Sequence, residues 1–304
     1  MPVISVDRLT KDYGHNRGVF DVSIQVNKGE CYGFLGPNGA GKTTTIRHLM
    51  GFSKPDKGKT SISDMDSWEH SAELKNTVGY LPGEVTLPQG LSGTGFLRMM
   101  EEMRRTKNDE YLKMLLDRFD LDPNISIKRM SLGVKRKLAV VTAFMHDPDI
   151  LILDEPTSDL DPVMQETFID FVKEEKARGK TIFLSSHIFH EVDASCDRIA
   201  IIRDGKIVSE FKSEELKSSH DRIYRVTFKN EQSYLSFIEK PFKFTSKNHG
   251  KLRARVQIEA SRVGELTSCL GDYDIADFVE IPFTLEDYFM GFYDTGHHFE
   301  GVKA

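Results

Sequence analysis

The sequence predicts an α/β domain with a largely parallel sheet, followed by a smaller α+β domain. Three observations carry this. Strand-like and helix-like segments alternate from the start to about residue 215, as a parallel sheet with crossover helices requires. After Glu214 the character changes to short runs that alternate apolar and polar residues, as half-buried antiparallel strands do. A glycine-rich turn joins an apolar strand to a helix early in the first part. With 304 residues, 39% hydrophobic and 29% charged, the chain can build two cores and lies outside the compositions of disordered or fibrous proteins.

In chain order, Cys31–Leu35 reads as a strand and about Thr43–Met50 as a helix, with helices over Phe96–Arg105 and Tyr111–Phe119 from their apolar spacing. Ile150–Leu153 is an all-apolar strand, and Thr181–Ser185 and Ile199–Ile202 are two more. Asp204–Gly205 between apolar runs signals a tight hairpin. In the second part, Ile223–Phe228 and Leu252–Ile258 read as strands, and Gln232–Glu239, Ser261–Leu270 and Leu285–Phe292 as helices. The first domain is drawn over residues 1–218, the second over 219–295, and 296–304 as a loose tail.

A net charge of -6 gives no electrostatic reason to expect nucleic acid as a partner. No apolar run approaches the roughly 18–20 residues that span a bilayer; Leu138–Met145 and Ile150–Leu153 read as core. The start, Met1–Asp7, lacks the basic and apolar regions of a secretory signal, so a cytoplasmic location is expected. Cys31, Cys196 and Cys269 are widely spaced and are expected to be buried, reduced thiols.

The chemistry begins at Gly36-Pro37-Asn38-Gly39-Ala40-Gly41-Lys42-Thr43-Thr44, which fits the phosphate-binding loop at every fixed position, after a strand and before a helix. Its glycines let backbone N–H groups face a phosphate, and the helix N-terminus adds partial positive charge. Lys42 is placed on the β and γ phosphates and Thr43 on Mg²⁺. The Ile150 strand ends in Asp154 and Glu155, at the carboxyl edge of the sheet beside that loop. Successive strand residues point in opposite directions, so the two carboxylates are given different tasks: Asp154 holds Mg²⁺ and Glu155 is the general base for the attacking water. His187 follows another strand and is placed on the γ phosphate, aligning water and Glu155.

With these motifs in order, residues 3–215 resemble the ATP-binding subunits of ABC transporters. Met130-Ser131-Leu132-Gly133-Val134-Lys135 is similar to the family signature in a variant common among exporter ATPases. The resemblance places Ser131 and Gly133 on the γ phosphate, while as a local signal Ser131 is also a helix N-cap. Ser158-Asp159-Leu160-Asp161 is similar to the family's dimer-contact loop, with Asp159 where glycine is commoner, and Tyr13 matches the aromatic that stacks on adenine.

One departure stands out. A glutamine linking the metal to the membrane partner should follow Tyr80-Leu81-Pro82, but Gly83-Glu84 stands there. Either Glu84 takes the metal or water contact, or the link runs through backbone.

The resemblance implies a P-loop ABC-type ATPase domain with a helical subdomain over about 85–145, carrying ATP and Mg²⁺. It implies a head-to-tail pair, homo- or heterodimeric, in which Lys42, Thr43, Asp154, Glu155 and His187 of one copy face Ser131 and Gly133 of the other. A separate membrane permease would dock near residues 80–100 and hold the subunit on the inner face of the membrane. A soluble ATPase uncoupled from transport and a binding module that has lost catalysis are the alternatives. The C-terminal domain resembles accessory domains of exporter ATPases and is read as a dimer-stabilising or regulatory addition.

Overall fold

The computed structural model describes residues 2–218, 222–281 and 284–290. They fall into two compact units that divide between Ser213 and Glu214.

The first unit opens with strands β1 (Pro2–Asp12) and β2 (Gly18–Asn27), paired antiparallel. Strand β3 (Cys31–Leu35) is buried at every residue and leads into helix α1 (Lys42–Leu49). Strands β4 (Lys57–Ile62) and β5 (Met65–Asp66) return to the opening pair and complete a four-stranded sheet in the order β2-β1-β4-β5. Helix α2 (Ser71–Thr77) precedes β6 (Val78–Leu81), and α3 (Gly93–Arg104), α4 (Asp109–Arg118) and α5 (Leu132–Phe144) follow. Next come β7 (Ile150–Asp154), α6 (Pro162–Ala177), β8 (Thr181–Ser186), α7 (Phe189–Ser195), β9 (Arg198–Arg203) and β10 (Lys206–Lys212), and α8 (Ser213–Ser218) begins at the division and falls almost wholly in the second unit.

A six-stranded sheet with the order β10-β9-β3-β8-β7-β6 forms the centre. Strands β9, β3, β8, β7 and β6 run parallel and β10 closes the edge antiparallel. Strands such as Leu151–Leu153 and Ile182–Leu184 are fully buried, which is why they read as unbroken apolar runs rather than alternating ones. At the β9–β10 hairpin Asp204 and Gly205 both have positive φ, 49° and 75°, the backbone that a two-residue turn between twisted strands demands.

The second unit runs β11 (Arg222–Phe228), α9 (Glu231–Ile238), β12 (Lys243–Asn248), β13 (Arg253–Ile258), α10 (Val263–Leu270), β14 (Ile275–Ile281) and α11 (Leu285–Met290). Its sheet is antiparallel throughout, in the order β12-β13-β11-β14. Alternate residues Tyr224, Val226 and Phe228 pack with Ala254, Val256 and Ile258 against Phe237 and Leu266, so the period-2 pattern supplies the core. The tail at 296–304 and the last two residues of the expected helix to Phe292 lie outside the described residues.

Cys31 and Cys196 are buried free thiols, with their sulfurs 3.7 Å apart. Cys269 corrects the expectation of burial: it is half-exposed on α10, beside rather than on the Leu266–Leu270 stripe that enters the core. No helix among the described residues is long and apolar enough to cross a membrane.

Candidate nucleotide site

Four strand ends build the site. Beyond β3, the backbone of Gly39 and Gly41 takes left-handed φ of 82° and 112°. A Cβ on Gly41 would also lie 2.7 Å from Val19 Cγ1, so the loop needs glycine there on two counts. Gly36 N–H donates to Ser186 O at 3.2 Å and Ala40 N–H to Pro37 O at 3.2 Å, which pins the loop to the end of β8. Asn38 and Thr43 are exposed and Thr44 is half-buried at the rim. Helix α1 starts at Lys42 with no side-chain cap, and its first-turn N–H groups present partial positive charge at the loop. The Lys42 side chain is 5% exposed; its ammonium donates to Gly36 O at 2.5 Å and Pro37 O at 3.1 Å.

Beyond β7, Asp154 is fully buried. Its Oδ1 accepts from Ser185 Oγ at 2.5 Å, whereas Oδ2 has no partner. Burial pushes its pKa up, against hydrogen bonds from Ser185 and Thr43 that favour the charged form. The expectation that strand alternation separates Asp154 from Glu155 is corrected here. The strand ends at Asp154, and Glu155 sits past it at φ 49°, a left-handed bend that is costly for a side-chain-bearing residue. The bend is held by Glu155 N–H on Ser185 O at 3.0 Å, and the two carboxylates take different partners. Glu155 Oε2 meets His187 Nδ1 at 2.6 Å, and Oε1 forms an ion pair with Lys42 Nζ at 3.0 Å without hydrogen-bond alignment.

A cleft of about 560 Å³ gathers Asn38, Thr43, Glu84, Asp154, Glu155 and His187, with Tyr80 and Ser158 at its wall. Glu84, in the Gly83-Glu84 pair that replaces the expected glutamine, therefore opens into the same space as Asp154. Tyr13 is not among the lining residues; it is 50% exposed, with Lys11 Nζ 6.0 Å from its ring centroid. Ser131 and Gly133 are not among them either. Ser131 caps α5, its Oγ accepting from Val134 N–H at 3.3 Å. A Cβ on Gly133 would lie 3.0 Å from Asp159 O, so the start of α5 abuts the Ser158–Asp161 loop. There Asp159 takes φ 66°, a conformation in which aspartate substitutes for glycine at modest cost, and Asp161 caps α6 through Val163 and Met164 N–H.

The sequence reading missed two residues at the site. Ser185, which bonds Asp154, was legible as a polar end to an apolar strand. Glu191 on α7 is buried and accepts from Ser186 Oγ at 2.5 Å, while Ser186 Oγ accepts from Ile188 N–H at 2.9 Å. Burial pushes the Glu191 carboxyl up to about 8, opposed by Ser186 and reinforced by the charge of Glu155. This buried bond ties the chain on both sides of His187 to α7.

Among the described residues no three His, Cys, Asp or Glu side chains gather as a self-sufficient metal centre. The unpartnered Asp154 Oδ2 beside the Thr43 hydroxyl is instead a partial oxygen set, suited to a hard cation that takes its remaining ligands from phosphate and water.

A loop of this geometry after a central parallel strand, with an acidic strand end beside it, defines a P-loop nucleotide-binding domain. A family model described as ABC transporter matches residues 19–158. The chain is 30% identical over 300 residues to the bacitracin transport ATP-binding protein BcrA of Bacillus licheniformis, covering 95% of this chain and 96% of that one. It is 32% identical over 222 residues to the Nod factor export ATP-binding protein I of Ralstonia nicotianae, covering 71% and 68%. A solved structure of an ATP-binding subunit of an ABC transporter superposes with a TM-score of 0.65 at 28% identity, over 71% of this chain and 92% of that chain. The chain belongs to the ABC transporter ATP-binding family.

Proposed function

We propose that this chain hydrolyses ATP as one of a head-to-tail pair and drives export through a separate membrane permease. The observation that carries the reading is the convergence of three segments far apart in sequence: Asp154–Glu155 and His187 line one cleft, and Lys42 pairs with Glu155 at its wall. Gly36 to Thr44 would cradle the triphosphate through backbone N–H groups, with Lys42 leaving the Gly36 and Pro37 carbonyls for the β and γ phosphates. Thr43, Asp154 and Glu84 are the residues that would hold Mg²⁺, which supplies charge neutralisation and orientation of phosphate oxygens. Glu155 accepts the proton of the attacking water. His187, in the tautomer that carries the proton on Nδ1, donates to Glu155 and fixes its carboxylate toward the cleft. Tyr13 is assigned to the adenine face.

Ser131 and Gly133 are assigned to the γ phosphate of a second copy, because the signature resemblance gives them that task and the cleft of their own chain is lined by other residues. Each copy then has an incomplete phosphate shell, and ATP acts as the adhesive. Closure around ATP and release on hydrolysis make a two-state element that a permease docked near residues 80–100 can harness. Peripheral attachment to the cytoplasmic face follows from that docking, and the export direction rests on relatives such as the Nod factor export protein. The C-terminal domain, drawn from sequence over residues 219–295, is an accessory domain without chemistry of its own.

Calorimetry on the intact chain with Mg²⁺ tests the cradle. ATP binding that falls at least tenfold in Lys42→Ala supports it, and no heat of binding to the wild type overturns it. Detergent extraction of native membranes with the tagged chain tests the partner: co-purification of a protein with several apolar spans supports the exporter reading, and ATP turnover by a chain that never associates with membranes favours the uncoupled ATPase.

A further inference from the structure

Arg136 is the largest fully buried side chain among the described residues, 2% exposed, one residue among lysines on helix α5. Burying a guanidinium is costly unless its donors are used and its charge is answered. Its Nη1 donates to Pro82 O at 2.9 Å and its Nη2 to Gly83 O at 2.5 Å, a two-pronged grip on the loop that follows β6. Nη2 also lies 3.7 Å from Asp159 Oδ2. Gly83 in turn presses on the site: a Cβ there would stand 3.1 Å from Asp154 Oδ2, the one carboxylate oxygen of that residue without a partner. The next residue is Glu84, which opens into the same cleft. Burial pulls the Arg136 pKa down, and the charges of Asp159, Asp154 and Glu155 oppose that, so the guanidinium answers the carboxylates of the cleft from behind.

We infer that Arg136 is a positioning residue for the metal side of the cleft, holding the Pro82–Glu84 backbone against Asp154 from the helix that begins at Ser131. The inference rests on the proposed ATPase function. It adds a consequence of geometry: one helix presents Ser131 and Gly133 at its first turn and grips its own cleft through Arg136 little more than a turn later. A shift of that helix therefore moves Glu84 and the wall of Asp154 together. Lysine at this position keeps the charge but cannot fork two carbonyls at once.

The test uses the intact chain with Arg136→Lys and Arg136→Gln. Hydrogen exchange of the backbone over residues 80–86, measured without nucleotide, is expected to speed up about tenfold in either variant, since the loop loses its clamp while α5 stays protected. In turnover, the Mg²⁺ concentration for half-activation should rise about tenfold and kcat should fall about 10- to 100-fold, as sub-ångström misplacement of reacting groups does. The KM for ATP should stay within about threefold, because the phosphate loop is untouched. Should one variant fail to fold, the other carries both readouts. Wild-type exchange at 80–86 together with a wild-type Mg²⁺ requirement overturns the role of Arg136, as does a loss that follows melting temperature alone. A wild-type chain that turns over no ATP defeats the functional reading instead.

Discussion

The two ends of the central sheet use the same residue types to opposite effect. At the amino ends of β7 and β8, Asp147 is bound by Arg178 at 2.8 Å and by Lys180, and Glu175 by Arg178 and Lys180, both at 2.7 Å, and by Tyr111 Oη at 2.8 Å. Burial works against the charge on Asp147, yet the hydrogen bonds from Arg178 and Lys180 outweigh it and hold its pKa down. At the carboxyl ends of the same strands, Asp154 has no cation in hydrogen-bond contact, keeps one oxygen unpartnered and has its pKa pushed up, with burial the largest cause. One carboxylate is finished by its neighbours and the other is left with capacity to bind. An unsatisfied buried carboxylate oxygen is expensive, so the unpartnered Oδ2 of Asp154 marks where the fold has given up stability for a site.

The largest way to break this comparison is at the finished end. Glu175→Ala leaves Lys180, itself 5% exposed, with fewer partners, and is expected to lower stability by about 3 kcal/mol, the lower range for breaking a buried pair because Asp147 still binds both cations. Denaturant unfolding measures it, and ATP binding by the folded fraction should be unchanged. A loss below about 0.5 kcal/mol would mean the network is surface decoration.

At the open end the effects fall on activity. Gly83→Ala would bring a methyl group to 3.1 Å from Asp154 Oδ2 and is expected to reduce turnover about tenfold with little change in melting temperature. Unchanged turnover would show that this oxygen is not used.

A smaller effect sharpens the contrast through pH. Glu191 is pushed up to about 8 from 4.5, so between those values the folded chain keeps a proton that the unfolded chain has lost. Its contribution to stability is complete below 4.5 and is lost as pH rises to about 8. Glu191→Gln has no such slope and should gain on the wild type as pH rises from 4.5 to about 8 in denaturant midpoints. Parallel curves would contradict the buried, protonated carboxyl.

Much of this was legible before the fold was known, for identifiable reasons. Strands β3, β7 and β8 are short apolar runs buried on both faces, and helix α1 begins one residue from where the glycine-rich loop placed it. Lys42 was legible from the glycine-rich loop pattern, and Glu155 and His187 because each follows a strand end, a position that sequence order reveals. The sheet β2-β1-β4-β5 was not found. Its first strand is broken by register shifts, as between Val6 and Leu9, which scramble the period-2 signal; only Val22, Ile24 and Val26 against Ser23 and Gln25 kept it. Arg136 was invisible for another reason. Nothing local separates it from Lys135 and Lys137, and its partners at Pro82, Gly83 and Asp159 are distant in sequence. Sequence pattern reports which face of an element is apolar, whereas a long-range polar grip is written only in the fold.

In the proposed mechanism Glu155, bent out of the strand and held by His187, splits a nucleotide gripped at Lys42. Steady-state phosphate release from Mg²⁺ and ATP, compared between the wild-type chain and Glu155→Gln, tests this most directly. Expected are turnover by the wild type, a fall of about 10²- to 10⁴-fold in the variant, and retained ATP binding in both. Wild-type turnover by Glu155→Gln would contradict this mechanism.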